Sequence, residues 1–220
     1  MKRILSTLIP CGGLLLPLFA PAQGTLYVSN LTEPSAGSRA VASDEWLAAT
    51  LHTGSNSGGY ILNSVQLLVD AASGTPAGFS VSLFNSDGAN PGSSLGSLSG
   101  STDPSSAGVF TYTASGLELS AATEYWIVVA ATTSLSSGAY HWCSAPTAGF
   151  DSTDDWGLFA GKLSSNDGLG WDVSRNIFQF AVYATVVPEP PPFVLTGLGL
   201  AALTFWRLRP NHGNRHIRLP

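Results

Sequence analysis

Apolar residues between positions 23 and 187 come in short runs and never settle into a helical stripe. Segments of about four to ten residues rich in Val, Thr, Tyr, Phe and Trp alternate with clusters of Gly, Ser, Asn, Asp and Pro, the pattern of strands and turns. It predicts strands at 25–29, 45–52, 61–69, 79–84, 109–113, 124–131, 139–143, 156–162 and 177–185. In Ser80-Val81-Ser82-Leu83 the two apolar residues face one way and the serines the other. Phe178, Phe180 and Val182 likewise share a face. That period of two describes strands with one dry and one wet side, as antiparallel sheets have. Residues 125–131 are almost wholly apolar and are expected at the centre of the core. The stretch 85–92 (Asn-Ser-Asp-Gly-Ala-Asn-Pro-Gly) is excluded from any central strand. A hairpin tip is expected at 164–168, where Asp167-Gly168 supplies positive φ. So many short strands in one domain predict an all-β fold, an antiparallel β-sandwich or jelly roll, with a closed barrel as the alternative.

Composition supports that reading and adds a location. Charged residues make up only 10% of the 220, against roughly 25% in an average soluble protein. With 24 glycines, this is not the composition of a helix-rich cytosolic enzyme. Of nine basic residues, Lys2 and Arg3 open the chain and Arg207, Arg209, Arg215 and Arg218 close it, leaving Arg39, Lys162 and Arg175 between. Thirteen acidic residues in the same middle stretch give it a balance of −10. Nucleic acid is therefore excluded as a partner.

The basic pair and the apolar stretch 4–19 read as a signal peptide, with Ala20 and Ala22 at the two positions a signal peptidase inspects and cleavage before Gln23. A retained transmembrane helix is disfavoured because Pro10, Gly12, Gly13 and Pro17 interrupt the run. Cys11 hints at a lipoprotein signal, but Pro10 is a poor residue before a lipidated cysteine. After cleavage only Cys143 remains, so no intramolecular disulfide forms. The expected organisation is a signal peptide at 1–22, an exported sandwich at 23–186 and a tail at 187–220.

The tail opens with Val187-Pro188-Glu189-Pro190-Pro191-Pro192, which must leave the sheet and extend. Residues 193–206 follow without a charge and are expected to form a transmembrane helix, short for a bilayer but assisted by Trp206 and the snorkelling Arg207 and Arg209. These arginines act as the membrane stop and place the C-terminus in the cytoplasm. This order of Pro188-Glu189-Pro190, apolar run and arginines resembles the PEP-CTERM sorting signal. The resemblance implies recognition and cleavage by an exosortase-type processing enzyme in a Gram-negative bacterium that makes extracellular polysaccharide. Residues 211–220 extend beyond the point where that family usually stops. The domain ahead of it resembles the choice-of-anchor R family, through stretches such as Thr25-Leu26-Tyr27-Val28-Ser29, Trp46-Leu47-Ala48 and Glu124-Tyr125-Trp126-Ile127-Val128-Val129. That likeness implies a secreted β domain of unknown biochemical activity and adds no catalytic residues.

Candidate chemistry is sparse. His52 and His141 lack a third convergent ligand for zinc. Cys143 has His141 two residues away on the same strand face, the minimum for a thiol nucleophile and its base, although a buried strand cysteine is the simpler account. Asp151, Asp154 and Asp155 form an acidic loop, and Asn85, Asp87 and Asn90 an oxygen-rich one. Either could offer calcium oxygens, and ordinary turn chemistry explains both as well. No other cofactor is implied. Asp44, Glu45, Glu118 and Glu124 could supply a carboxylate pair for glycoside hydrolysis, but their spacing selects none. Trp142, Trp156 and Trp171 could stack on sugar rings if exposed. The expected function is therefore a non-enzymatic surface or matrix protein, sorted by its tail and contacting extracellular polysaccharide; the alternative is an extracellular glycan hydrolase.

Overall fold

The computed structural model describes residues 24–146, 149–164, 167–174 and 177–189. Every regular element among them is a strand, and all strand pairings are antiparallel. The six-stranded sheet has β3 (Trp46–His52) and β8 (Glu124–Ala130) at its centre. Outside β3 lie β11 (Gly157–Ser164) and β12 (Asp172–Val173); outside β8 lie β5 (Ser80–Asp87) and β6 (Asn90–Leu98). The eight-stranded sheet is organised around the long β4 (Tyr60–Gly74). On one side of β4 runs β7 (Gly108–Leu119). On the other, β14 (Phe180–Val186) and β9 (Gly138–Ala145) follow one another end to end. Outside β14 lie β1 (Thr25–Ser29) and β10 (Asp151–Ser152); β2 (Gly37–Val41) and β13 (Ile177–Phe178) pair with β9. Two open sheets share a single core, a sandwich arrangement rather than a closed barrel.

Alternation builds that core. Leu47, Ala49 and Leu51 of β3, Val81 and Leu83 of β5, and Ile127 and Val129 of β8 point inward. They meet Leu62, Val65, Leu67, Tyr112, Tyr140, Phe180 and Val182 from the other sheet. Each fully buried aliphatic side chain contributes about 1.5–3 kcal/mol relative to an exposed one. Rings fill the two ends of the layer. Trp156 stacks on Tyr27 at 4.9 Å and meets Tyr60 edge-on at 5.0 Å, and Trp142 stacks on Phe178 at 4.7 Å.

The predicted strand 177–185 is one run of chain but two strands. Gln179 breaks it, because β13 pairs with β9 and β14 with β4. At this fork the Trp142 indole N–H donates to the Gln179 carbonyl at 2.9 Å, and the Gln179 side-chain amide donates to the Glu33 carbonyl at 2.8 Å. The stretch 85–92 divides differently from the expectation. β5 runs on to Asp87, Gly88 (φ 61°) makes the turn, and Pro91 and Gly92 belong to β6. β6 pairs only with β5 in its sheet, and at an edge the missing proline N–H costs no ladder bond. Asp167 and Gly168 adopt the positive φ expected of them (56° and 82°).

The sandwich has two distinct ends. β14 finishes beside the start of β1, Thr25 opposite Ala184, and Val187 N–H donates to the Gly59 carbonyl at 3.0 Å. The starts of β8 and β4 lie at this same end, where Ala122 N–H bonds the Gly54 carbonyl. The turn at Ala42–Glu45 and the end of β8 lie at the other end, about 20 Å away along the strands. The predicted signal peptide with Ala20 and Ala22, the apolar run 193–206, Pro190, Arg207 and Arg209 fall outside the described residues.

Candidate functional site

Most polar candidates from the sequence do not converge. His52 sits on the outer face of the six-stranded sheet and His141 on the outer face of the eight-stranded one. The ring of His141 engages Ser73 Oγ at 3.0 Å. Cys143 shares His141's face and is buried; burial first, then the Asp70 carboxylate, pushes its thiol up, which disfavours a thiolate. Glu118 and Glu124 project from opposite outer faces, and Glu124 accepts a hydrogen bond from Ser86 Oγ at 2.6 Å. Asp44 and Glu45 lie at the far end, where Asp44 accepts Leu135 N–H at 2.8 Å and Glu45 pairs with Arg39 at 2.9 Å.

Asp151 stands in β10, and Asp154 and Asp155 follow in a turn, all three exposed. Both turn aspartates take left-handed φ (54° and 60°), a conformation that Asp tolerates better than most residues. The turn delivers Trp156 into the core. Asp154 and Asp155 line a depression of about 380 Å³ with Asn56, Ser57 and Glu189; Asp151 is not part of it. Among the described residues no three His, Cys, Asp or Glu side chains are grouped to hold a metal ion. Asn85 Oδ1 is occupied by Ser93 N–H at 2.5 Å, within the β5–β6 hairpin.

The chain leaving β14 toward the proline cluster contacts the domain at its first residues. Glu189 accepts a hydrogen bond from Ser57 Oγ, and Asn56 Nδ2 donates to the Val187 carbonyl at 3.3 Å. Glu189 is exposed, and the Asn56–Gly59 turn offers the donors and acceptors that meet the chain as it leaves β14.

The aromatic candidates are redistributed. Trp142 and Trp156 are 0% and 2% exposed, so neither can touch a sugar. Trp171 is half-buried on the outer face of the six-stranded sheet, within a second apolar cluster. Its covered layer is Ala48, Trp126 and Val128, and Trp46, Phe84 and Trp171 lie against that layer, each half-buried. The register explains the grouping, since Phe84 lies opposite Trp126 and Ala48 opposite Val128. Trp46 Nε1 donates to the Ser43 carbonyl at 3.1 Å. Gly168 sits so close to the same indole that a Cβ there would lie 3.0 Å from it. Trp126 Nε1 donates to Ser86 Oγ at 3.1 Å. Beside these rings, Trp46, Phe84 and Val128 line a groove of about 220 Å³ with Ser80, Ser82 and Thr132.

Trp46 and Phe84 were the residues to look for. Phe84 continues the serine face of β5, and Trp46 is out of phase with Leu47, Ala49 and Leu51, so both are large aromatics on the wet side of strands. No family model, no curated protein and no solved structure matches this chain.

Proposed function

We propose that the chain is an exported, non-enzymatic surface or matrix protein, delivered through its C-terminal tail and in contact with extracellular polysaccharide. The observation that carries this reading is the placement of the two ends. β1 begins and β14 finishes at one end of the sandwich, so a membrane-held tail would suspend the domain with its far end and both outer faces free. Pro188, Glu189 and Pro190 then serve as the motif an exosortase-type enzyme reads, 193–206 as the membrane segment, and Arg207 and Arg209 as the stop. In this reading the protein passes through a membrane-held intermediate to the cell surface or matrix of a Gram-negative bacterium. The docking of Val187 and Glu189 on the Asn56–Gly59 turn gives the tail a defined point of departure.

Intact-mass measurement of the mature protein tests this. It should begin at Gln23 and end within 188–192, and replacing Pro188, Glu189 and Pro190 with alanine should trap the full-length form in the membrane fraction. Recovery of the unaltered chain complete at the cell surface would contradict the sorting role.

A further inference from the structure

We infer that the groove between Trp46 and Phe84 binds a neutral polysaccharide chain, one sugar ring lying over Val128 between the two aromatic side chains while the serine hydroxyls meet its edge. The inference rests on the matrix-facing reading above and gives it a face and a ligand class.

Shape, lining, charge and position all point to this occupant. A pyranose ring has polarised C–H groups on its faces and hydroxyls around its rim. The groove answers both, with Trp46 on the β3 side, Phe84 following Ser80 and Ser82 on the β5 side, Val128 as the floor between them and Thr132 at one end. At about 220 Å³ it is smaller than the roughly 300–1,000 Å³ of pockets that enclose a whole small molecule. It suits a single unit of a chain that continues across the surface in both directions. Its lining contains no charged residue, although the domain between residues 23 and 187 carries a balance of −10. An anionic polymer would meet repulsion from the domain and find no cation in the groove, whereas a neutral one meets neither obstacle.

The rings are also prepared for contact. Trp126 and Val128 are covered, yet Trp46 and Phe84, which rest against them, remain half-buried with surface to offer. The Ser43 bond and the closeness of Gly168 hold Trp46 in place, so little freedom is lost on binding. The groove lies at the end of β8 away from the tail, near Ala130 and Gly78, where a domain suspended from the membrane faces outward.

The test uses the purified full-length chain in a sugar-free zwitterionic detergent, run in native gels cast with neutral glucans, mannans, galactans or xylans, and with alginate as an anionic control. The expected result is retardation by at least one neutral polymer and none by alginate. Phe84→Ala should weaken binding on the order of tenfold, the loss of one stacking contact. Ser80→Arg, which fills the groove from an exposed strand position and removes no packing, should do the same. Thr111→Ala, on the other sheet, should change nothing. Retardation by no neutral polymer, equal retardation by alginate, or full binding by Ser80→Arg would overturn the inference. So would a dimer in sedimentation that the groove variants dissociate, which would make a second copy the occupant. These failures leave the mature mass untouched, so they are separable from failure of the sorting reading.

Discussion

The two outer faces of this sandwich are built on the same strand geometry and finished in opposite ways. On the eight-stranded sheet, Gln66, Thr111 and Tyr183 form a hydrogen-bonded row, Gln66 Nε2 to Thr111 Oγ1 at 3.3 Å and Tyr183 OH to Gln66 Oε1 at 3.4 Å, and beyond Leu68 and Val109 the polar Asp70 and His141 lie opposite one another. On the six-stranded sheet the corresponding positions hold Trp46, Ala48, Phe84, Trp126 and Val128. The first face presents these polar side chains to solvent. The second has made a small core of its own, with half-buried rings as its lid. A sheet can therefore carry a binding surface without disturbing the core beneath it, because alternation insulates one side of a strand from the other.

The comparison is most easily broken at Trp126. If the outer cluster is a true packed layer, Trp126→Ala should cost about 3–5 kcal/mol, like other buried aromatic truncations, and lower the urea midpoint accordingly. A loss below about 1 kcal/mol would show that the layer is loose.

Next in size is an effect of alkali on the eight-stranded sheet's inner side. Tyr140 donates to Asp103 Oδ1 at 3.1 Å. Burial first, then that bond and the Asp103 charge, push its phenol up to about 12 from the ordinary 10.0. Burial likewise raises Tyr112. In the unfolded chain these phenols ionise near pH 10 while the folded chain still holds their protons. Stability is therefore full below pH 10 and falls as pH rises toward about 12. Tyr140→Phe should flatten part of that decline in urea titrations at stepped pH, and an unchanged slope would show that the Tyr140 phenol does not hold its proton in the folded chain above pH 10.

Smaller still is Phe84→Ala, expected to cost about 1 kcal/mol because the ring is only partly buried. Gln66→Ala should stay within about 0.5 kcal/mol, as surface changes do. Equal costs for the two would erase the distinction between the faces.

Much of this architecture could be read in the chain. β1 falls where the strand pattern placed it, and the dry positions Val81, Leu83, Phe178, Phe180 and Val182 are all buried. Residues 125–131 looked continuously apolar for a reason that only the fold supplies: Trp126 and Val128 are covered on the outer side while Ile127 and Val129 are covered on the inner. β2 and β6 escaped notice because neither needs a dry pattern. β2 is mostly exposed, and β6 is an edge strand rich in Gly, Ser and Pro. Trp142 and Trp156 could not be told from surface tryptophans by residue type, since pairing register decides which face a ring takes. Trp46 and Phe84 were legible in principle, as aromatics out of phase with the dry positions around them.

Hydroxyl-radical footprinting of the full-length protein, with and without the neutral polysaccharide that retards it, reads both outer faces in one experiment. The account predicts that oxidation of Trp46 and Phe84 falls several-fold on binding while that of Tyr183 on the opposite face is unchanged. Protection of Tyr183 with Trp46 and Phe84 still reactive would contradict it and move the binding surface to the other sheet.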